Sequence, residues 1–290
     1  GSARSTPGIA LTSLKAEGET PRPNTSVASC RSVLKKTVST MYSMESFENS
    51  AVTRSAAEND TPITVNAERK GQRTRWRIAM IVSWLYAMKI KNIGIVDVAW
   101  AGLMAAAGIF CAIVGSGSNT ARLATGLFAG LWGMRLFLSL FKRVFSEPED
   151  GRYQALRQAW NGSPSKLFVF FQGQALIVTL FSIPFIAASS NTTLEPGIWL
   201  VLAILVFILS VGGETLSDKQ LAAFRGNPAN RGKTCRNGLW AWSRHPNYFF
   251  EWLHWFSYVL LAVGGGYFML SLLGPVVMLL FLYRVSGIPW

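Results

Sequence analysis

Four polar residues recur in one apolar stretch near the carboxyl end of the sequence, at the spacing of a helix. Asn247, Glu251, His254 and Tyr258 occupy positions i, i+4, i+7 and i+11, which places them on one face of an α-helix. Polar groups in a membrane face protein or a cavity, so this face should point inward. These side chains are therefore expected to line an interior cavity. The competing interpretation is a hydrogen-bond network that only fixes helix packing.

The residues just before this helix can bind an anion. Pro246 suits the first turn of a helix and biases His245 toward an extended conformation. The helix therefore begins here, with its free backbone N–H groups beside Arg244 and His245. A helix amino terminus of this kind is a binding site for phosphate and other anions.

A second group of polar residues lies upstream, where a helix would align Glu214, Asp218, Leu221 and Arg225 on one stripe. Asp218 can accept hydrogen bonds from a ribose or an amide, and Arg225 can hold a phosphate bidentately. The alternative is an ion-pair network at a cytosolic helix end, and the spacing does not decide between the two. Ser217 with Gln220 resembles a capping box, so a new helix could also begin there.

The composition places these residues in a membrane protein. Half of the 290 residues are hydrophobic and only 15% are charged, whereas a soluble domain carries about 25% charged residues. Three scattered cysteines exclude a disulfide scaffold. The two histidines, nine residues apart, point to opposite sides of a helix, which argues against a shared metal site. The net charge of +13 fits membrane lipid headgroups or a phosphate-bearing cofactor better than nucleic acid.

Long stretches with almost no charge predict an all-α, polytopic membrane helix bundle. Between Glu251 and Arg284, 32 residues carry no formal charge. A helix of that length would be about 48 Å long, too long for one pass through a roughly 30 Å hydrocarbon core. Three glycines from Gly264 divide this run, which predicts spans at about 248–263 and 267–284. Four further stretches have at most one charge each, making six transmembrane helices in all: 94–114, 123–140, 167–188 and 198–213.

The chain divides into a tail and a membrane domain. Residues 1–77 are rich in Ser, Thr and Asn without an apolar period, which indicates a disordered leader, an expression leader or a transit-like extension. Residues 78–290 form the membrane domain. Within it, 78–90 is a short candidate for a seventh span.

The basic loops predict the orientation of the bundle. The segment Glu214–Asn247 holds six basic residues against two acidic ones, so it should be cytoplasmic together with Lys142–Lys166. The loop 189–197 has no basic residue and should lie on the opposite side. A seventh span at 78–90 would place the basic run Arg69–Arg77 outside. Either 78–90 lies at the membrane interface instead of spanning it, or the preference of basic residues for the cytoplasmic side does not hold at this point.

Several short motifs over residues 92–290 together resemble the membrane steroid 5-alpha-reductase family, specifically its broad branch labelled DUF1295. The motif Arg-His-Pro-Asn-Tyr alone also resembles membrane methyltransferases, whereas its combination with Ser-Asp-x-Gln-Leu and Val-Asp-x-x-Trp is much more specific. The matching pieces are Asn92-Ile-Gly-Ile-Val-Asp-Val-Ala-Trp100, Trp132-Gly-Met-Arg-Leu136, Glu149-Asp-Gly-Arg-Tyr153, Phe171-Gln-Gly173, Ser217-Asp-Lys-Gln-Leu221 and Ser243-Arg-His-Pro-Asn-Tyr-Phe-Phe-Glu251.

The resemblance implies a multi-helix membrane enzyme of lipid metabolism, in the endoplasmic reticulum or the bacterial inner membrane. It would be an oxidoreductase that binds NADPH on its cytoplasmic side and reduces a carbon–carbon double bond in a lipid or steroid-like substrate. The acid candidates under this resemblance are Glu251 and Tyr153. The resemblance also implies a set of cofactor-binding residues, which includes the positions that match the family's motifs and some of their neighbours in the same motifs. These residues are Gln172, Glu214, Asp218, Arg225, Arg244, His245, Asn247, Tyr248 and Arg284.

The sequence departs from the steroid-reducing members in two places. Glu214 stands where those members carry an amide, and their amino-terminal Gln-Glu pair has no counterpart here, so Asp97 or Tyr153 would take the acidic role. The family usually continues with a polar tail, so the chain ending at Trp290 is expected to be incomplete at that end.

Two other functions remain open at the level of sequence. The first is an S-adenosylmethionine-dependent membrane methyltransferase, although the six basic residues of 214–247 favour a more anionic ligand. The second is a catalytically silent lipid-binding membrane protein. The sequence Gly115-Ser-Gly-Ser118 lacks the third glycine of a soluble dinucleotide fingerprint, as expected if a nucleotide binds among helix ends.

Overall fold

A computed structural model describes the backbone of residues 62–284 and the side chains of residues 74–283. The predicted all-α membrane helix bundle is confirmed, and the described residues contain no strand. The helices, in chain order, are α1 Pro62–Ile90, α2 Ile95–Val114, α3 Asn119–Ser146, α4 Gly151–Ala159, α5 Pro164–Ser189, α6 Ile198–Gly226, α7 Pro246–Leu261, α8 Phe268–Ser271 and α9 Leu273–Arg284.

Four helices are long and apolar enough to cross a membrane, namely α2, α3, α5 and α6. They match the four predicted stretches with at most one charge each, except that α2 begins at Ile95, one residue later than predicted. The last predicted pair of spans, 248–263 and 267–284, is shorter than these four helices. Helix α7 has 16 residues, and the following span is divided into α8 and α9. The predicted turn between them is present, with Gly264 at a φ of +80°.

The predicted tail and seventh span both fall on or before α1. This helix begins at Pro62, so 62–77 is helical and continues into 78–90. Residues 1–61 lie outside the described part of the chain. The alternative helix start at Ser217 is not observed, because α6 runs unbroken to Gly226 and the Ser217 hydroxyl donates to the carbonyl of Gly213 at 2.7 Å.

Helix α5 lies at the centre of the bundle and packs against α1, α2, α3, α7, α8 and α9. Around it, α2 and α3 form one close pair and α6 and α7 form another. Small residues bring α2 and α3 together: a Cβ at Gly133 would lie 2.7 Å from the Cβ of Ala105. Such contacts between small residues are how membrane helices approach closely.

The outer faces of the long helices are apolar and exposed. On α3 they present Leu123, Leu127 and Leu131, and on α6 they present Leu205 and Ile208. Contiguous exposed apolar side chains on this scale are unfavourable in water. These faces therefore contact membrane lipid.

Candidate functional site

One large cavity of about 2400 Å³ opens at the end of the bundle where α2 begins and α6 ends. Helices α2 to α7 and α9 contribute to its walls, together with the loop that joins α6 to α7. Most of the predicted site residues meet here although they are distant in sequence. Those that line it are Tyr153, Glu214, Asp218, Arg225, Arg244, His245, Asn247, Tyr248 and Glu251.

Two predicted cofactor residues are placed differently. Gln172 does not line this cavity, whereas Gln174 does, because two positions on a helix are about 200° apart. The side chain of Arg284 lies outside the described residues, although its backbone ends α9. The structure therefore does not bring Gln172 to the candidate site, and the prediction for Arg284 concerns a side chain outside the described residues.

Glu214 on α6 and Glu251 on α7 lie side by side at the inner end of the cavity. The two helices pack tightly here, since a Cβ at Gly213 would overlap the ring of Phe250. Both carboxyl groups are buried, with Glu214 5% and Glu251 9% exposed, and they are within hydrogen-bonding contact of each other. Two adjacent carboxyls in such a site can hold a proton between them.

Arg135 of α3 provides the positive charge for this pair. Its guanidinium forms an ion pair with Glu214 and lies 3.5 Å from Asp218. The sequence reading did not place Arg135 in the site. The signal was present, because Arg135 is the single charge within the apolar stretch 123–140, and a charge inside a span marks a functional position.

Trp132, one turn before Arg135, connects the pair to the core. Its Nε1 donates to Glu251 Oε2 at 3.2 Å, and its ring stacks on His254 at a centroid distance of 4.6 Å. His254 in turn contacts the Tyr258 hydroxyl through Nε2 at 3.1 Å. Each of these three aromatic side chains is fully buried.

The predicted inward face of α7 is therefore confirmed, and it divides by depth. Asn247 and Glu251 line the cavity, whereas His254 and Tyr258 lie in the core below it. The two deeper residues match the interpretation of a hydrogen-bond network that fixes helix packing. The shallower half is open to a ligand.

Tyr153 forms a second acid position in the same cavity. Its hydroxyl donates to Asp97 Oδ1 at 2.5 Å, and the guanidinium groups of Arg152 and Arg143 lie 3.7 and 3.8 Å from Asp97 Oδ2. Burial raises the pKa of the Tyr153 phenol well above its usual range, and the neighbouring Asp97 carboxylate raises it further. The phenol therefore keeps its proton at neutral pH.

Two motifs separated by more than 50 residues meet to build this position. Glu149 accepts a hydrogen bond from the backbone N–H of Ile93 at 2.6 Å and pairs with Arg157 at 2.8 Å. Asn92 donates to the carbonyl of Val144 at 3.2 Å. These bonds hold the start of α2 against the end of α3, which brings Asp97 within reach of Tyr153.

The rim of the cavity carries cations that are free to meet a ligand. Within residues 74–283, none of these side chains forms an ion pair with a carboxylate, in contrast to Arg135, Arg143 and Arg152. They come from the end of α6 and the loop that follows it: Arg225, Lys233, Arg236 and Arg244.

The loop that carries these cations is fixed to α6 by Gln220, which the sequence had suggested only as part of a capping box with Ser217 and of the Ser-Asp-x-Gln-Leu motif. Gln220 Oε1 accepts the N–H of Leu239 at 2.9 Å, and Trp240 Nε1 donates to the carbonyl of Ser217 at 2.9 Å. Gly238 has a φ of +58°, and a Cβ there would overlap the Gln220 amide. The Ser-Asp-x-Gln-Leu motif thus positions the cationic loop.

The entrance of α7 combines a helix amino terminus, which can bind an anion, with an amide oxygen that has no hydrogen-bond donor among the described residues. His245 directly precedes the helix, and its ring stacks on that of Tyr248 at a centroid distance of 5.2 Å with an interplanar angle of 8°. Asn247 Oδ1 is buried, and no group in the described part of the chain donates a hydrogen bond to it. A buried acceptor of this kind is satisfied when a ligand supplies the donor.

The sequence matches the family model described as protein of unknown function (DUF1295) over residues 83–290, so the chain belongs to that family. No curated protein and no solved structure matches it. The DUF1295 part of the resemblance is thereby confirmed, while the relation to steroid 5-alpha-reductases stays a prediction.

Proposed function

We propose that this member of the DUF1295 family is an NADPH-dependent membrane reductase of an activated carbon–carbon double bond. The observation that supports it most is the layering of the cavity. Free cations lie at the rim, a buried acceptor lies at the entrance of α7, and proton-donating groups lie beneath. An anionic cofactor and a substrate that needs a proton would each meet complementary groups.

The residues present fit such a cofactor. The phosphate groups would contact Arg225, Lys233, Arg236 and Arg244, since Arg and Lys bind phosphate through charge-assisted hydrogen bonds. The nicotinamide carboxamide would donate to the unpartnered Oδ1 of Asn247. When bound, the cofactor supplies a hydride, while the protein positions both reactants and provides the proton.

The inner wall of the cavity suits the apolar part of a lipid or steroid-like substrate. Trp100, Ile177 and Phe181 line it from α2 and α5, and Met278 and Phe281 line it from α9. Burial of apolar surface there would contribute about 25 cal/mol per Å². The same wall would keep water from the reacting carbon.

Glu251 and Tyr153 are the groups that would deliver or hold the proton. Each is buried and each lines the cavity. A hydrogen bond from one of them to the substrate oxygen would stabilise the negative charge that develops when the double bond accepts hydride. The other would orient the substrate.

Ligand-dependent stabilisation tests the proposal. The full chain in detergent is titrated separately with NADPH and with S-adenosylmethionine, and its thermal unfolding is followed. We expect stabilisation by NADPH of about 2.7 kcal/mol at a hundredfold excess over the dissociation constant. Stabilisation by S-adenosylmethionine alone would instead favour a methyltransferase. Stabilisation by neither would point to a lipid-binding protein without enzymatic activity.

A further inference from the structure

The charges around Glu214 and Glu251 do not balance if every carboxyl is ionised. Three carboxyls, those of Glu214, Asp218 and Glu251, meet one guanidinium, that of Arg135. A buried charge is unfavourable unless it is paired, and two adjacent carboxylates repel each other. One proton held by the pair removes the contact between like charges.

The hydrogen bonds leave two oxygens between which that proton can lie. Glu251 Oε2 already accepts from Trp132 Nε1, and one oxygen of Glu214 is held by Arg135. The two oxygens left over, Glu251 Oε1 and Glu214 Oε2, have no hydrogen-bond partner among residues 74–283 when both groups are treated as carboxylates. A proton on Glu251 Oε1 turns that oxygen into a donor and gives the Glu214 carboxylate a partner.

We propose that Glu214 and Glu251 share a single proton, and that Arg135 is the positioning residue that keeps it on Glu251. Arg135 stabilises the ionised form of Glu214 by direct pairing, so the uncharged partner is Glu251. Glu214 is then a partner of the acid rather than a cofactor contact. A substrate oxygen or carbon placed in the cavity would meet an acid that is already protonated at neutral pH.

The use of this proton rests on the proposed function. After hydride adds to the β-carbon, the electron pair of the double bond passes toward the activating group of the substrate. The O–H bond of Glu251 then breaks as a C–H bond forms at the α-carbon, and Glu251 is left as a carboxylate. Water entering the open cavity returns the proton before the next cycle.

Infrared spectroscopy of the ligand-free full chain tests the shared proton without any cofactor. A protonated carboxylic acid has a C=O stretch that is separate from the carboxylate bands. We expect such a band at neutral pH that is lost in Glu251→Gln. The matched control is Glu195→Gln at the opposite end of the bundle, where the side chain is exposed and the band should be unchanged. A band that persists in Glu251→Gln would overturn the proposal.

Two neighbouring substitutions should move the pH at which this band is half lost, in opposite directions. Glu214→Gln removes the like charge, so the midpoint should fall by about 1–3 pH units. Arg135→Met removes the cation, so a second acid band should appear from Glu214, and Arg135→Lys should restore the single band. Asp218 on α6 and the neutral groups of His254 and Tyr258 on α7 also face the pair and stay unchanged in these variants.

The outcome for Glu214→Gln decides the proposal even if Arg135→Met does not fold. An unchanged midpoint would show that burial alone keeps Glu251 protonated and that no proton is shared. Because these spectra are recorded without ligand, a failure of NADPH to bind would leave them intact. The two proposals can therefore fail separately.

Discussion

Two amide side chains at opposite ends of the bundle, those of Asn191 and Asn247, differ in their hydrogen bonding. Away from the cavity, Asn191 is 1% exposed and its amide is fully used. Its Nδ2 donates to the carbonyls of Leu261 and Val263, both at 2.9 Å, and its Oδ1 accepts from the N–H and hydroxyl of Thr193. At the cavity end, by contrast, Asn247 Oδ1 and Glu251 Oε1 lack partners within the described residues.

The difference separates stability from function within one fold. A buried polar group with all its partners rigidifies the structure, whereas one without a partner lowers stability. Such unsatisfied groups are few in native proteins, and a catalytic role or a bound water or ion is among the explanations for them. We call the end of the bundle near Asn191, away from the cavity, the closed end. Substitutions there are expected to change stability, whereas substitutions at the cavity end are expected to change binding and turnover.

The largest effect is expected for Glu251→Gln at the cavity end. The substitution keeps the shape of the side chain but removes the proton that the mechanism requires. NADPH affinity should stay nearly intact while the reductase rate falls by 10²–10⁴, the usual range for a general acid. Steady-state rates and thermal unfolding are measured together. Full activity at normal stability would remove Glu251 from the mechanism and leave Tyr153 as the acid.

The closed end should respond with a loss of stability. Asn191→Leu leaves the carbonyls of Leu261 and Val263 without their side-chain donor, which should lower the free energy of unfolding by about 2–4 kcal/mol. Thr193→Val, which removes a single hydrogen bond, is the control and should have a smaller effect. Chemical unfolding in detergent gives both values. A change in NADPH affinity at normal stability would contradict the separation of the two ends.

Arg225→Ala should weaken NADPH binding by about 1.5–3 kcal/mol, the range for a hydrogen bond to a charged group. The loss should shrink at high salt, since screening reduces the charge interaction. Arg231→Ala is a matched control, because Arg231 is exposed in the following loop and does not line the main cavity. Binding is measured by titration at two salt concentrations. Equal losses in both variants would mean that the loop acts only through its overall charge.

The smallest effect is expected at Asp150, which caps α4 and so supports Tyr153. Its carboxylate accepts from the N–H of Arg152 at 2.9 Å. Although burial would raise it, the hydrogen bonds from Arg152 hold the pKa of the Asp150 carboxyl below its usual range. Asp150→Ala should lower the free energy of unfolding by about 1 kcal/mol.

The sign of the pH dependence follows from that lowered pKa. The contribution of the Asp150 carboxylate is present at neutral pH and is lost as the pH falls through the pKa of the folded state. Asp150→Asn keeps a capping side chain, so it should retain most of the stability while losing this acid sensitivity. Unfolding measured across an acidic pH series compares the three proteins. Parallel curves for wild type and Asp150→Asn would exclude a role of the charge.

Features that depend on neighbouring positions in the chain could be predicted before the structure was known. The four apolar stretches form helices, Pro246 begins α7, and Gly264 turns the chain. The inward face of α7 follows from a period of 3.6 residues, because a polar stripe facing lipid is unfavourable. Each of these outcomes is set by local backbone preference and by the contrast between lipid and protein.

Partners across helices could not be predicted in the same way. Periodicity tells which face of α3 carries Arg135, yet its pairing with Glu214 and Asp218 depends on the rotation and depth of α6. The rotation of α5 could not be predicted for the same reason, and it decides that Gln174 lines the cavity while Gln172, two positions earlier, does not. These rotations result from packing over the whole bundle, including the contact of Gly133 with Ala105 and of Gly213 with Phe250.

Composition and periodicity thus suffice for the membrane class of this protein, for its main helices and for the polar face of α7, since these depend on short-range geometry and on the solvent. The carboxyl pair, the bond between Tyr153 and Asp97, and the unpaired cations of the rim exist only in the folded bundle. The first two join residues that are more than 30 positions apart, and the rim cations form no ion pair with the carboxylates of residues 74–283 because packing brings none of these near them.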